Sequence, residues 1–334
     1  MKTKTRKALR NTAIAAGVII VLAALHVCYV NVTAAKIPHH FATAEEGCER
    51  MLANTMYYDN MTQNDIEYRL RKSGATKDEL LEASRRSVRD FSLIEKYYLN
   101  CRIAKMQRKL QKNGYELPPL EEIVYIKADM SLESGATGYT HGTEIYLNSG
   151  SVKVYTLGGF IPGFSRYLDE VLWHELFHCL TRCNPDFRAE MYKLIHFTAT
   201  GSDFEIPPSV REKFISNPDV EHHDAYATFL IDGQEKDCFL ALITPQTYAE
   251  SHGGFLDVDT VVLVPTDGTD TYYTVEQASN FDEVLGTNTT YTVDPEECMA
   301  DNFAYAMLYG MKGKNGQGYP NPEIIQGVID AVSP

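Results

Sequence analysis

The chain is poor in positive charge: 31 Lys and Arg stand against 45 Asp and Glu in 334 residues, a net charge of −14. Five of the basic residues, Lys2, Lys4, Arg6, Lys7 and Arg10, fall within the first ten positions. Beyond them 26 basic residues face 45 acidic ones, a net charge of −19. A body so charged repels nucleic acid and anionic membrane surfaces, so neither is expected as a partner. Internal repeats and low-complexity tracts are also missing. Cysteine is sparse, at seven residues, and Cys28 follows His26 and Val27 rather than a lipobox.

The basic start leads into an apolar run from Ala13 to Val30. A cationic start followed by an apolar core is export hardware and is set aside from the fold. The run is long for a signal-peptide core and short for a membrane-spanning helix. Val32-Thr33-Ala34 before Ala35 is an acceptable cleavage site. The charge pattern puts the first residues in the cytoplasm and the body outside it. Residues 1–35 are therefore read as a signal peptide or signal anchor. The extracytoplasmic body is expected to be held by a single span in preference to secretion, meeting the membrane through that segment only. The other six cysteines, Cys48, Cys101, Cys179, Cys183, Cys238 and Cys298, permit up to three disulfides in an exported body.

Trp173-His174-Glu175-Leu176-Phe177-His178 carries the chemistry. Its flanks, Leu168, Val171, Leu172, Leu176, Phe177 and Leu180, predict a buried helix. Histidines four apart share one helix face, and buried imidazoles need partners. Zinc supplies one, and two nitrogens on one rigid turn make half of a tetrahedral site. Glu175 stands beside them, in place to act as general base.

A third ligand is required. The position six residues after His178 holds Asn184, and the intervening glycine is missing, which excludes the metzincin pattern. Further on, Asp294 and Pro295 read as N-cap and first turn of a helix running to a C-cap at Gly310. Glu297 and Asp301 share a face of it, and Met299, Ala300, Phe303 and Ala304 make it apolar. The pair of helices resembles the gluzincin signature of thermolysin-like peptidases. That resemblance implies that Glu297 is the third zinc ligand and that Asp301 takes the other ring N–H of a ligand, His174. The likeness is confined to the two helices and the strand before them. It departs from thermolysin at Glu296, where an asparagine would precede the ligand, and in the 118 residues (179–296) between His178 and Glu297. Tyr291, six residues before Glu297, resembles the tyrosine of lethal-factor-like gluzincins, which would donate to the oxyanion. Glu296 itself reads as an ordinary acidic first turn. A rival source of the third ligand is Asn217-Pro218-Asp219-Val220-Glu221-His222-His223-Asp224, which packs two histidines and three acids into one turn-like stretch.

The resulting fold class is α+β: a zincin-like catalytic domain with a mixed sheet and an active-site helix, a helical N-terminal region and a β-rich insertion. Residues 36–115 are read as helical, with one helix from Thr62 to Gly74 and a long one from the capping box Thr76-Lys77-Asp78-Glu79 to Lys112. Leu80, Ser84, Val88, Phe91, Ile94, Tyr98 and Cys101 form its stripe. Residues 116–334 form the catalytic domain, and about 201–292 form the insertion. Ile123–Ile126 and Thr143–Asn148 read as strands; the second resembles in position the zincin edge strand that pairs with extended peptide, the alternative being an ordinary sheet strand. In the insertion, Tyr226–Ile231, Cys238–Thr244, Val258–Val264 and Thr271–Val275 read as strands. The function expected is a zinc-dependent endopeptidase (cofactor Zn2+) acting on peptide or protein substrates outside the cytoplasm. The alternative is a non-catalytic zinc-binding surface or binding module on the same scaffold.

Overall fold

The structure, a computed structural model, describes residues 2–159, 161–252 and 259–334, with side chains from Ile14 onward. Among the described residues it is α+β, with two sheets. The apolar run lies in helix α1 (Lys2–Ala34), whose Ile14–Ala34 stretch is long and apolar enough to cross a membrane. Ile19, Ile20 and Leu22 are exposed, whereas Val30 and Ala34 at its end are buried in the main core.

Residues 36–115 are mostly helical but give two strands to the first sheet. β1 (His39–Phe41) is followed by α2 (Ala44–Ala53), α3 (Thr55–Asn60), α4 (Gln63–Leu70) and α5 (Lys77–Ser87). The expected long helix is broken: α5 ends, β2 (Val88–Arg89) pairs with a strand, and α6 (Leu93–Asn113) starts afresh. The break is local chemistry. Ser92 caps α6 and Glu95 reaches back to the Ser92 backbone, a second capping box. Restarting there resets the helical phase, so Ile94 of the expected stripe is 70% exposed. Leu99, Ile103, Met106 and Leu110 face inward in its place.

The first sheet adds β3 (Ile123–Ala128), β4 (Gly138–His141) and β5 (Glu144–Asn148), in the order β1-β3-β5-β4 with β2 also on β3. β1, β3 and β5 run parallel, and β4 is antiparallel to β5. Residues 143–148 therefore lie inside the sheet, and the edge belongs to β4. The reason is topological: a tight turn folds β4 back onto the outer side of β5. Side chains alternate across the sheet. Ile123, Tyr125, Ile145 and Leu147 join the main core, while Val124, Ile126, Ala128 and Tyr146 pack on the α2–α5 side. Both faces are covered, which is why β3 is apolar at nearly every position.

α7 (Ser149–Gly158) leads to α8 (Arg166–Cys183), α9 (Pro185–Lys193), β6 (Thr198–Ala199) and α10 (Pro208–Arg211). A second sheet follows from β7 (Ala225–Ile231), β8 (Gln234–Ile243), α11 (Tyr248–Ser251), β9 (Thr260–Pro265) and β10 (Tyr273–Thr274). Its strands run antiparallel in the order β10-β9-β8-β7-β6. Val258, the expected start of one strand, lies outside the described residues. The chain closes with α12 (Phe281–Leu285), α13 (Pro295–Tyr309) and α14 (Pro322–Ala331).

α8 and α13 cross at the centre. Phe303 packs edge-on to Trp173 at 6.1 Å and against Phe177 at 5.5 Å, and all three rings are fully buried. Each such ring contributes about 1.5–3 kcal/mol by burial, so this contact sets how the two helices meet. None of the seven cysteines is paired, in contrast to the expected disulfides. Cys179, Cys238 and Cys298 are instead packed inside apolar core, and the Cys298 thiol points to the Leu285 carbonyl at 3.6 Å.

Candidate metal centre

His174 and His178 project from one face of α8, ring centroids 4.8 Å apart. α13 brings Glu297 to them: its Oε2 is 2.9 Å from His174 Nε2 and 3.6 Å from His178 Nε2. Donor atoms of a tetrahedral zinc stand about 3.3 Å apart, given bonds of about 2.0–2.1 Å. The three atoms match that triangle, and all lie within 4.8 Å of one another. His178 Nε2 is buried and has no hydrogen-bond partner. An orphan imidazole nitrogen in the core is costly unless something binds its lone pair, and a cation does so. The donor set therefore fits a divalent metal with nitrogen affinity.

The opposite ring nitrogens are held by carboxylates. His174 Nδ1 donates to Asp301 Oδ1 at 3.0 Å, and Thr289 steadies Asp301 from behind. His178 Nδ1 donates to Glu296 Oε1 at 3.0 Å. Both bonds turn the Nε2 lone pairs toward Glu297 and fix the tautomers. Glu296 is not the solvated first-turn acid expected from its position. It is 2% exposed and accepts also from Thr181 Oγ1 at 2.5 Å, Tyr192 Oη at 2.6 Å and Arg182 Nη1. Two other elements, α8 and α9, supply those partners, so nothing local to Glu296 marked it. The available signal was the doubled acid at 296–297 opposite two histidines.

Glu175 is 3% exposed, between the histidines and β4. Thr140 Oγ1 donates to its Oε2 at 2.7 Å. Its Oε1 lies so close to Gly138 that a Cβ there would stand 2.9 Å from it. Glycine at 138 is thus what lets the edge strand lie against the carboxylate. Burial pushes the Glu175 pKa up, opposed by the two imidazoles and Thr140. Burial also raises Asp219, aided by the Glu175 and Glu297 charges. Burial opposes ionisation of Glu297 too, but the two imidazoles that face it, His174 before His178, outweigh burial and hold it well below the carboxylate range. For His178, burial is outweighed by Asp219, Glu296 and Glu297, and the ring rises to about 9. The pocket is acid-rich, and a divalent cation would relieve the crowding.

Tyr291 Oη donates to Glu297 Oε1 at 3.3 Å, and its ring is tilted over His174 at 6.1 Å. Enclosure of the hydroxyl, with Glu297 next to it, keeps the phenol protonated. The ring itself is 42% exposed and forms part of a cleft of about 440 Å³ that opens onto His174 and Glu175.

The stretch 217–224 reaches the centre, but not through its histidines. His222 is exposed and contacts Asp203 at 3.1 Å, and the His223 ring packs between Phe214 and Phe239. Asn217 and Asp219 come instead. Asn217 Nδ2 donates to Glu297 Oε1 at 2.6 Å, and Asp219 Oδ1 is 3.9 Å from His178 Nε2. No family model, no curated protein and no solved structure matches the chain.

Proposed function

We propose that this chain is a zinc-dependent peptidase acting outside the cytoplasm. One observation carries the reading: the buried, unpartnered His178 Nε2 faces Glu297 Oε2, which also faces His174 Nε2, while Asp301 and Glu296 occupy the far nitrogens. His174, His178 and Glu297 would hold the zinc, which when bound polarises a carbonyl and acidifies water. Glu175 takes the proton from the attacking water and delivers it to the leaving amine. Its raised pKa suits both halves of that task, since a base that must later act as an acid works best near the operating pH. Thr140 fixes the carboxylate's direction through its hydroxyl. Tyr291 Oη, poised at the cleft, donates to the developing oxyanion.

A peptide is favoured as substrate because the centre lies beside a sheet edge, where extended chain can add by backbone hydrogen bonds. Retention of α1 as a membrane anchor is supported by its last turn, since Val30 and Ala34 are core residues. The deciding experiment is Glu175→Gln in the zinc-loaded protein. Cleavage of a denatured protein substrate should fall about 10²–10⁴-fold, with zinc content unchanged. Wild-type cleavage by that variant would remove Glu175 from the reaction, and a wild-type chain that binds no zinc would remove the whole reading.

A further inference from the structure

The free edge of β4 is already occupied. Thr140 N donates to Asp219 Oδ1 at 2.5 Å, and Gly142 N donates to Glu221 Oε1 at 2.5 Å. Thr140 lies in β4 and Gly142, two residues on, in the turn that ends it, and the amides of both meet carboxylates of one segment. Asp219 and Glu221 are two apart as well, and their carboxylates meet those amides in register. An added peptide strand would present its carbonyl oxygens at the same two places. The same segment also blocks the centre: Asn217 Nδ2 holds Glu297 Oε1 at 2.6 Å, and Asp219 stands on the open side of His178 Nε2.

We propose that residues 217–221 are a built-in plug that imitates a bound peptide along β4 and must be displaced before substrate can enter. The proposal rests on the peptidase reading for its consequence, but the contacts belong to the fold itself. The plug is fastened to the centre by one cation. Arg182 donates to the Asp219 carbonyl and to Glu296, and its Nε is 3.5 Å from Glu221 Oε2. Asn217 shapes the segment, with its Oδ1 accepting from Asp219 N at 3.0 Å and its carbonyl from Val220 N at 3.1 Å. The residue before it is tied down separately, since Ser216 N donates to Asp65 Oδ2 at 3.0 Å and Arg69 Nη2 to the Ser216 carbonyl at 2.5 Å. The attachments therefore fall into two sets. Those at 216 are made to Asp65 and Arg69 of α4, whereas those beyond it are carboxylate bonds to the Thr140 and Gly142 amides, together with the contacts of Arg182 and of Asn217 with Glu297. A peptide that supplies carbonyls to Thr140 and Gly142 replaces the two amide bonds, the Arg182 and Asn217 contacts break as the segment leaves, and the set at 216 stays intact. The segment can then swing about residues 216–217 and clear β4.

The test is Asp219→Ala/Glu221→Ala in the full zinc-loaded chain, with Glu221→Ala alone in reserve should the double variant fail to fold. Two quantities are read: hydrogen exchange of the Thr140 and Gly142 amides, and kcat/KM on denatured casein. Exchange should quicken at least tenfold in the double variant and at Gly142 in the single one. Casein cleavage should rise at least tenfold and about twofold respectively, with zinc content unchanged. Unaltered exchange at both amides overturns the plug, and so does faster exchange with casein cleavage equal to or below that of an active wild type. If neither wild type nor variant cleaves casein, the peptidase reading fails, and exchange alone then decides whether the edge is plugged.

Discussion

His178 hydrogen-bonds through Nδ1 to Glu296 Oε1, the carboxylate next in sequence to the Glu297 that faces its Nε2. Two adjacent acids on one helix thus bracket a single imidazole, one orienting it through Nδ1 and one facing its Nε2. The division has a measurable consequence. Glu297→Gln removes the charge of the proposed third ligand and should abolish stoichiometric zinc binding. Glu296→Gln keeps the shape but weakens the hold on His178, so zinc affinity should fall about 10–100-fold. Competition with a chromogenic chelator measures both. Wild-type affinity in the Glu296 variant would show that the ring needs no such partner.

Gly138 offers a test of the general base that leaves every ionisable group in place. A Cβ at this position would lie 2.9 Å from Glu175 Oε1 and 3.2 Å from the Tyr146 carbonyl. The backbone oxygen cannot yield without breaking the β4–β5 pairing, so the Glu175 side chain must move. Gly138→Ala should therefore lower kcat by roughly tenfold or more, since misplacement by about 1 Å can cost about 100-fold. Zinc affinity should stay as it is, because His174, His178 and Glu297 are untouched. Loss of zinc in this variant would mean that the strand supports the metal site and not the base.

The parts of the centre legible in the sequence were those whose geometry is local. Histidines at 174 and 178, and acids at 297 and 301, come together on helix faces because spacing alone sets those faces. Glu296 was misread because its partners Arg182, Thr181 and Tyr192 come from other elements, and acids are ordinary in a first turn. The edge strand was assigned to 143–148 because strand order depends on a fold-back that no residue pattern announces. The expected long helix ran on because an apolar stripe continued across Ser92, although Ser92 and Glu95 formed a visible capping box. In the stretch 217–224 the histidines drew attention as metal ligands, while the residues that reach the centre are Asn217 and Asp219.

Arg182 ties these pieces together and should show it in stability. Its guanidinium is the cation beside the buried Glu296, which it holds far below the usual carboxylate range against the effect of burial. Removing one partner of a buried pair leaves the other charge uncompensated and costs about 3–5 kcal/mol. Arg188, 3.6 Å from Glu296 but engaged with Asp224, covers part of the loss. Arg182→Met should accordingly shift unfolding by about 3 kcal/mol, read from the urea midpoint. Paired with Glu296→Gln it should cost less than the two changes added, since the stranded charge is gone. Strict additivity in that cycle would mean the two side chains do not interact.

Acid should weaken the fold through two histidines outside the proposed metal triad. His141 at the end of β4 is 5% exposed, with the rings of Tyr57, Tyr139 and Tyr146 at 4.7, 5.1 and 5.5 Å. Burial, and to a lesser degree the Arg182 and Arg69 cations, push its pKa down to about 3 against a hydrogen bond with the Pro218 backbone. Burial likewise lowers His223 to about 4, opposed by Asp203 and the Leu240 backbone. Both pKa values lie below the unfolded value of about 6.5, so the unfolded chain takes up protons that the folded one refuses. Stability from this source is complete above about pH 6.5 and is lost as pH falls toward 4 and then 3. Each group adds a slope of up to about 1.4 kcal/mol per pH unit in that window. Urea unfolding from pH 7 to pH 4 should thus show a falling midpoint, and His141→Phe, which keeps an aromatic ring among the tyrosines, should flatten it by one group's share. A wild-type slope in that variant would assign the acid sensitivity elsewhere. Because Thr140 and Gly142 flank His141, protonating that ring would also disturb the strand edge held by Asp219 and Glu221, so the protection of the β4 amides, measured relative to the unstructured chain at each pH, should fall as pH approaches 3.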